Sequence, residues 1–173
     1  KGAPGGIVRF LEDRNDDGRY DHSTVFLSGL NFPSGVMAWG KGVLVSAAPD
    51  ILYAEDTDGN GKADLRKVLF TGFREGNQQH RMNGFVLGLD NWIYAANGDS
   101  GGMIKSTATG KVVNINGRDF RFKVTGEMQT LFNQTQFGLH RDDWGNWFGN
   151  NNPNWLWHIH LPLHYVTRNP HLV

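Results

Sequence analysis

Short runs of apolar and β-branched residues alternate with Gly, Asp and Asn along most of the chain. Such runs suit β-strands, and no stretch repeats its apolar positions with the 3.6-residue period of a helix. We therefore predict an all-β protein whose antiparallel strands are joined by tight turns. The predicted strands are Gly6–Glu12, Thr24–Ser28, Gly35–Trp39, Val43–Ser46, Ile51–Glu55, Arg66–Thr71, Gly84–Leu89, Trp92–Ala96, Phe120–Val124, Met128–Phe132, Phe137–His140, Asn146–Gly149 and a further strand opening within Trp155–Tyr165.

These strands recur as a repeated unit. FLEDRNDDGRYDHSTVFLSGL from Phe10 aligns without a gap with YAEDTDGNGKADLRKVLFTGF from Tyr53, which starts 43 residues later. GVLVSAA from Gly42 likewise matches NWIYAAN from Asn91 and NWFGNNN from Asn146. A period of about 40 residues built from short strands is typical of the four-stranded antiparallel blade of a β-propeller. We predict this all-β fold, a β-propeller, for the chain.

The repeat divides residues 1–173 into blade units of about 1–30, 31–73, 74–132 and 133–173. The first and last units hold only part of a blade, which leaves about three blades in total. Because propellers close with about four to eight blades, we expect the chain to be a partial propeller domain from a larger whole.

The direction of each strand places many polar residues on one face. Successive antiparallel strands reverse direction, so the loops after the second and fourth strands of every blade lie at the same end. Polar side chains gathered there, around the mouth of a propeller channel, suit a small polar ligand such as a sugar or an alcohol. The residues placed on this face are Asn31, Pro33, Asp50, His80, Arg81, Asn83, Asn97, Asp99, Ser100, Gln134, Gln136, Asn150, Asn151 and Asn152.

Composition and charge exclude several classes of function. Lys and Arg number 17, as do Asp and Glu, so the formal net charge of zero offers no field for nucleic acid or an anionic membrane. The absence of cysteine excludes disulfides, thiolate catalysis and a haem-attachment motif within these residues. No apolar run approaches the roughly 20 residues of a membrane-spanning helix. The opening residues, KGAPGG, lack the apolar region of a signal peptide, so they do not indicate a localisation.

Two Asp-rich hairpins on the opposite face resemble EF-type calcium loops. Their oxygen-bearing residues occupy loop positions one, three, five and nine, with glycine at position six. The bidentate glutamate expected at position twelve is replaced by Thr24 and Lys67. Structural calcium and simple turn formation both remain open for these hairpins. The candidate calcium ligands are Asp13, Asn15, Asp17 and Asp21 in the first hairpin, and Asp56, Asp58, Asn60 and Asp64 in the second.

His80 and Asp99 are the candidate catalytic pair. Loops on either side of the hairpin Gly84–Ala96 deliver them to the same end of the sheet. Histidine titrates near neutral pH and is a common general base, although a histidine beside a carboxylate is also an ordinary structural hydrogen bond. For the histidines of WLWHIHLPLHY, at positions 158, 160 and 164, we favour packing over metal binding. We expect the six tryptophans to be mostly core residues rather than sugar platforms.

The stretch HRMNGFVLGLDNWIYAANGDSGG resembles the active-site segment of soluble quinoprotein sugar dehydrogenases. The resemblance implies a six-bladed propeller that uses pyrroloquinoline quinone (PQQ), with His80 as the base that removes the hydroxyl proton while hydride passes to the quinone. Gly98 and Asp99 match the family's glycine-aspartate. We expect Arg81, Asn83 and Gln136 to contact the cofactor. The family's arginine-asparagine pair before the next blade is here Asn133-Gln134, without arginine.

A second resemblance covers nearly the whole chain. QFGLHRDDWGNWFGNNNPNWLWH is similar to a segment of large, exported, membrane-bound dehydrogenase-like proteins, in which a propeller is joined to helical repeats and a c-type haem domain. It implies export and a haem partner elsewhere in a longer protein. We therefore expect a dehydrogenase propeller that oxidises a sugar or related alcohol. A non-catalytic propeller that binds carbohydrate or protein, and a solvated scaffold for other blades, are the alternatives.

Overall fold

A computed structural model describes residues 3–161, 163–169 and 171. Hydrogen bonding groups the strands into four antiparallel sheets, which confirms the all-β class. The first sheet holds β1 (Gly6–Glu12) and β2 (His22–Leu30). The second holds β3 (Gly35–Trp39), β4 (Gly42–Ala47), β5 (Asp50–Glu55), β6 (Leu65–Phe73), β9 (Gly102–Ser106) and β10 (Val112–Asn114). The third holds β7 (Asn83–Leu87), β8 (Ile93–Ala96), β11 (Phe120–Phe122) and β12 (Met128–Thr130). The fourth holds β13 (His140–Arg141), β14 (Trp147–Gly149) and β15 (Trp157–Ile159).

Helical structure is sparse in the described part of the chain. One turn of 3-10 helix spans Gln78–His80, and the four-residue helix α1 spans Leu163–Val166. The strand expected within Trp155–Tyr165 is limited to the three residues of β15, after which the chain turns into α1. No described helix is long and apolar enough to cross a membrane.

The second sheet is buried on both faces. Neighbouring residues of a strand point to opposite faces, and Leu44 and Val45 accordingly belong to two different apolar clusters. Val45 packs in the cluster that contains Leu27 and Leu30 of the first sheet. Leu44 packs in the cluster that contains residues of the third sheet such as Phe120. This double burial explains why β4 and β5 are almost continuously apolar rather than alternating.

Aromatic rings join the second and third sheets. Phe70 of β6 meets Phe122 of β11 edge to face, with ring centroids 5.4 Å apart. Phe73 lies 5.3 Å from Phe120 at a tilt of 44°. Burial of each such side chain contributes about 1.5–3 kcal/mol to folding. The two sheets therefore share one core.

The first strands of successive sheets lie side by side. β3 contacts β7, and β7 contacts β13. Gly84, at the start of β7, has φ +68°, and a Cβ atom there would lie 2.7 Å from the Cα of Gly138. The third and fourth sheets can approach this closely only because both positions are glycine.

The β9–β10 hairpin was not predicted by the repeat, which treats residues 97–119 as a connection. β9 pairs with β6, with Phe70 opposite Ser106 and Thr71 opposite Lys105. The hairpin thus leaves the third sheet and extends the second, covering an edge of β6 that would otherwise expose unpaired N–H and C=O groups. Part of the predicted blade unit 74–132 therefore belongs to the sheet formed by unit 31–73.

Candidate functional site

Four loops meet at one end of the sheets, and we call them the polar loop cluster: residues 74–82, 97–101, 131–139 and 150–156. Backbone hydrogen bonds join them in series. Ser100 N donates to His80 O at 3.1 Å, Gly98 N to Thr135 O at 3.0 Å, and Gln136 N to Asn150 O at 2.9 Å. The polar face expected from strand direction is therefore a continuous, hydrogen-bonded surface over these four loops.

His80 lies between a carboxylate and an amide. Its Nδ1 atom is 3.9 Å from Asp99 Oδ2, and its Nε2 atom is 3.1 Å from Gln136 Nε2. The side chains of His80 and Asp99 are 33% and 30% exposed, so both reach solvent. With the proton on Nδ1, facing Asp99, the Nε2 lone pair accepts from the Gln136 amide. A substrate hydroxyl that took the place of this amide would face a basic nitrogen.

A strained turn presents Asp99. Gly98 and Asp99 both have left-handed backbone angles, with φ +69° and +72°. A Cβ atom on Gly98 would lie 2.5 Å from the carbonyl carbon of Arg81 and 2.8 Å from the carbonyl oxygen of His80. Asp99 Oδ1 accepts from Gln134 Nε2 at 2.8 Å, which fixes the other carboxylate oxygen toward His80. The glycine therefore allows the Asp99 loop to pack directly on the His80 backbone.

Arg81 joins two loops from within. The residue is only 7% exposed. Its guanidinium donates to the carbonyl oxygen of Glu75 through Nε at 3.0 Å and Nη2 at 2.8 Å, and to that of Asn31 through Nη1 at 3.2 Å. The guanidinium carbon also lies 5.3 Å from the centre of the Phe32 ring. Three of the five guanidinium N–H groups of Arg81 are therefore committed within the protein.

The other two predicted cofactor residues are also engaged. Asn83 donates to the carbonyl oxygens of Arg81 and Gln136, each at 2.9 Å, and accepts from Gly138 N at 2.6 Å. Gln136 is 2% exposed, and its Oε1 atom accepts from Asn152 N at 3.1 Å. Of Arg81, Asn83 and Gln136, it is Gln136 that touches the His80 ring.

Asp119, a fully buried residue before β11, is not among the site residues predicted from the sequence. Its carboxyl accepts from Asn97 N at 2.8 Å and Thr135 N at 2.9 Å. Burial raises the pKa of this carboxyl to about 7, because desolvation outweighs the hydrogen bonds that favour the charged form. The signal available was a lone Asp immediately before the alternating aromatics of FRF.

Two side-chain atoms, Arg118 Nη1 and Asn133 Oδ1, are buried without a hydrogen-bond partner among the described residues. Arg118 precedes Asp119, and its carbonyl oxygen accepts from Asn97 Nδ2 at 2.9 Å. The Arg118 backbone therefore binds the loop 97–101, and its side chain holds a buried donor without an acceptor among the described residues.

The Asp-rich hairpins lie at the other end of the sheets, between β1 and β2 and between β5 and β6. Their side chains accept from backbone N–H groups of the same turn: Asp13 from Gly18 at 2.8 Å, and Asp56 from Gly61 at 2.7 Å. No group of three or more His, Asp or Glu side chains within the described ranges is arranged to hold a metal ion. Calcium binding at these hairpins stays a prediction.

A cleft of about 840 Å³ separates the third and fourth sheets. Its lining includes Tyr94, Trp147 and His158, but not His80, Asp99 or Gln136. His158 stacks on Phe148 with ring centroids 5.0 Å apart, and lies 4.1 Å from the ring of His160. The His164 side chain is outside the described part of the chain. This cleft is therefore distinct from the candidate catalytic pair.

The expectation that the tryptophans are core residues was wrong for two of them. Trp144 is 85% exposed and Trp155 is 88% exposed. Trp39 follows the expectation, because it packs against the core cluster that contains Leu44 and Phe120. Trp147 is half-buried and stacks on Tyr94 with ring centroids 3.9 Å apart, at the lining of the cleft. Trp155 ends the Asn-rich loop of the polar loop cluster, whereas Trp144 lies in the turn between β13 and β14 at the opposite end.

Comparison with known proteins gives a family but no activity. The sequence model of a domain of unknown function, DUF7133, matches residues 1–173. No curated protein and no solved structure matched the chain. The match covers every residue, so the chain belongs to the DUF7133 family.

Proposed function

We propose that the chain is part of a β-propeller whose polar loop cluster is the active site of a quinone-dependent dehydrogenase. The substrate is a sugar or a related alcohol, and His80 is the general base. By the resemblance described above, we further propose that the whole protein is exported and passes electrons to a c-type haem domain outside this chain. The observation that carries the proposal is the position of His80 between Asp99 and Gln136.

The arrangement of the sheets supports the propeller. The first three sheets pack face to face in chain order. The first strands of the second, third and fourth sheets, β3, β7 and β13, adjoin one another, as first strands do around the axis of a propeller. Loops that leave the same end then surround a common opening. His80, Asp99 and Gln136 all lie on such loops.

The geometry suits abstraction of a hydroxyl proton. A substrate hydroxyl in place of the Gln136 amide donates to His80 Nε2 and transfers its proton there as the substrate carbon becomes a carbonyl carbon. Asp99, on the Nδ1 side, orients the ring and stabilises the imidazolium that forms. A quinone, when bound, would supply the acceptor for the hydride and its two electrons, while His80 holds the proton.

The residues present offer a partial fit to an anionic quinone. The carbonyl oxygens of Glu75 and Asn31 occupy three of the five N–H groups of the Arg81 guanidinium, which leaves two for a ligand carboxylate. The backbone of Arg118 is hydrogen-bonded to Asn97 and Ile115, whereas its buried side-chain Nη1 atom lacks an acceptor among the described residues. A cofactor carboxylate would provide that acceptor. We therefore expect Arg118, rather than Arg81, to recognise the cofactor within this chain.

Calorimetric titration of the complete protein with PQQ, in the presence of calcium, tests the proposal. We expect saturable one-to-one binding. Arg118→Gln is expected to weaken the binding by about tenfold or more, since a charge-assisted hydrogen bond contributes roughly 1.5–3 kcal/mol. His80→Ala is expected to retain binding, because the base is needed for proton transfer. Absence of binding at high PQQ concentration would contradict the proposal.

A carbohydrate-binding module is the second candidate function, and Trp155 is the observation that favours it. Its indole is 88% exposed and follows the Asn151–Asn154 turn, whose Asn152 N–H binds Gln136. Exposed indole faces next to amide groups suit a sugar, which has both apolar C–H faces and hydroxyl groups.

Replacing Trp155 with alanine is expected to weaken the binding of any neutral oligosaccharide that the parent protein binds by about tenfold, because the ring supplies apolar contact area. Trp144→Ala is the matched control, since that side chain is equally exposed at the opposite end of the sheets. The measurement is calorimetric titration with a panel of neutral oligosaccharides. Equal effects of the two substitutions would exclude Trp155 as a platform.

A further inference from the structure

Asp119 connects the two loops that carry the partners of His80. One carboxyl oxygen, Oδ1, accepts from the backbone N–H of Asn97 at 2.8 Å and from that of Thr135 at 2.9 Å. Asn97 is two residues before Asp99, and Thr135 lies between Gln134 and Gln136. A single atom therefore fixes the spacing of both loops.

Further hydrogen bonds close this connection into a ring. Gly98 N donates to Thr135 O at 3.0 Å, so the two loops also bind each other directly. Asp119 N donates to Asn133 O at 2.6 Å, and its Oδ2 atom contacts the Asn133 side-chain amide. Asn97, Asp119 and Thr135 are each no more than 1% exposed. Water is therefore a poor substitute for the carboxyl group.

Three N–H groups donate to the Asp119 carboxyl: those of Asn97 and Thr135 to Oδ1, and the Asn133 side-chain amide to Oδ2. The same Asn133 amide nitrogen also donates to Thr135 Oγ1 at 3.2 Å. Asparagine at position 119 would keep a carbonyl oxygen for the two backbone N–H groups. Its own amide N–H would then face Asn133, which can offer an acceptor by rotating its amide half a turn.

We infer that Asp119 is a positioning residue of the candidate active site, holding the loops of Asp99, Gln134 and Gln136 at fixed distances around His80. It does not touch His80. The inference rests on the proposed function for the purpose that the loops serve, while its geometry is independent of any activity.

Amide hydrogen exchange in the complete protein tests the inference without an activity assay. In Asp119→Leu, the amides of Gly98, Ser100 and Gln136 are expected to lose about tenfold or more of their protection, because Asn97 N and Thr135 N lose their acceptor. Amides of Val45 and Leu52, in the second sheet, are expected to change by a smaller factor. Asp119→Asn is expected to restore protection to within about threefold of the parent.

Phe122→Leu is the control for a general loss of stability, since Phe122 is fully buried and lies in β11 beside Asp119. It is expected to affect loop and sheet amides alike. The His80 ring resonances are expected to shift in Asp119→Leu and not in Phe122→Leu. If Asp119→Leu does not fold, Asp119→Ala, which leaves room for water, is measured in its place.

Uniform loss of protection in the Asp119 variants, or an unchanged His80 signal, would overturn the inference. Failure of PQQ to bind would instead overturn the proposed function and leave this result standing. The two outcomes are therefore distinguishable.

Discussion

Replacing His80 with alanine is expected to lower turnover of the complete, PQQ-loaded protein by about 10²–10⁴-fold, the range for loss of a general base. In the proposed mechanism the Nε2 atom of His80 accepts the proton of the substrate hydroxyl, and alanine offers no proton acceptor there. Stability should change little, because the side chain is one third exposed. The measurement is reduction of an artificial electron acceptor with a panel of sugars and alcohols.

His22 provides a matched control. Its Nε2 atom lies 3.9 Å from Glu12 Oε2, the same separation as in the His80–Asp99 pair, and its side chain is 39% exposed. The pair lies at the start of β2, at the opposite end of the sheets. His22→Ala is therefore expected to leave turnover unchanged. Normal turnover in His80→Ala would remove His80 from the mechanism.

Gly98→Ala is expected to lower the free energy of unfolding by about 3 kcal/mol or more. It is also expected to abolish turnover. The added Cβ would lie 2.5 Å from the Arg81 carbonyl carbon, so the loop must move away from the His80–Arg81 backbone. Asp99 follows Gly98 directly and would move with it. The left-handed angle of φ +69° adds a further cost for any residue with a Cβ atom.

The control for the backbone angle is Gly110→Ala. Gly110 has φ +72°, and nothing lies within 4 Å of the position that its Cβ would take. Alanine at position 110 therefore costs only the free energy of a left-handed backbone angle, about 1 kcal/mol. Chemical denaturation of the parent and both variants gives the comparison. Equal destabilisation by the two substitutions would show that the contact with the Arg81 carbonyl group is not limiting.

The repeat located most of the strands because their signals are local. Turn residues such as Asp90-Asn91 and the alternation of apolar side chains depend on a few neighbouring positions, and the structure has β7 and β8 on either side of that turn. The polar loop cluster followed from strand direction, since antiparallel pairing fixes which loops share an end. These inferences needed no knowledge of distant contacts.

Contacts between distant segments decided the rest. The β9–β10 hairpin joins the second sheet because β6 offers it an edge, and nothing within residues 97–119 specifies that partner. An arginine in a polar loop is usually exposed, yet Arg81 is buried, and the carbonyl oxygens of Glu75 and Asn31 accept hydrogen bonds from its guanidinium.

The sequence by itself determined the all-β class, the repeating strands and the candidate pair His80 and Asp99. Tertiary structure alone showed that Asp119 links the loop of Asp99 to the loop of Gln134 and Gln136, because its three donors come from residues 97, 133 and 135. The burial of a charge and the choice of a strand's partner are long-range properties. Local periodicity and turn chemistry carry no information about either.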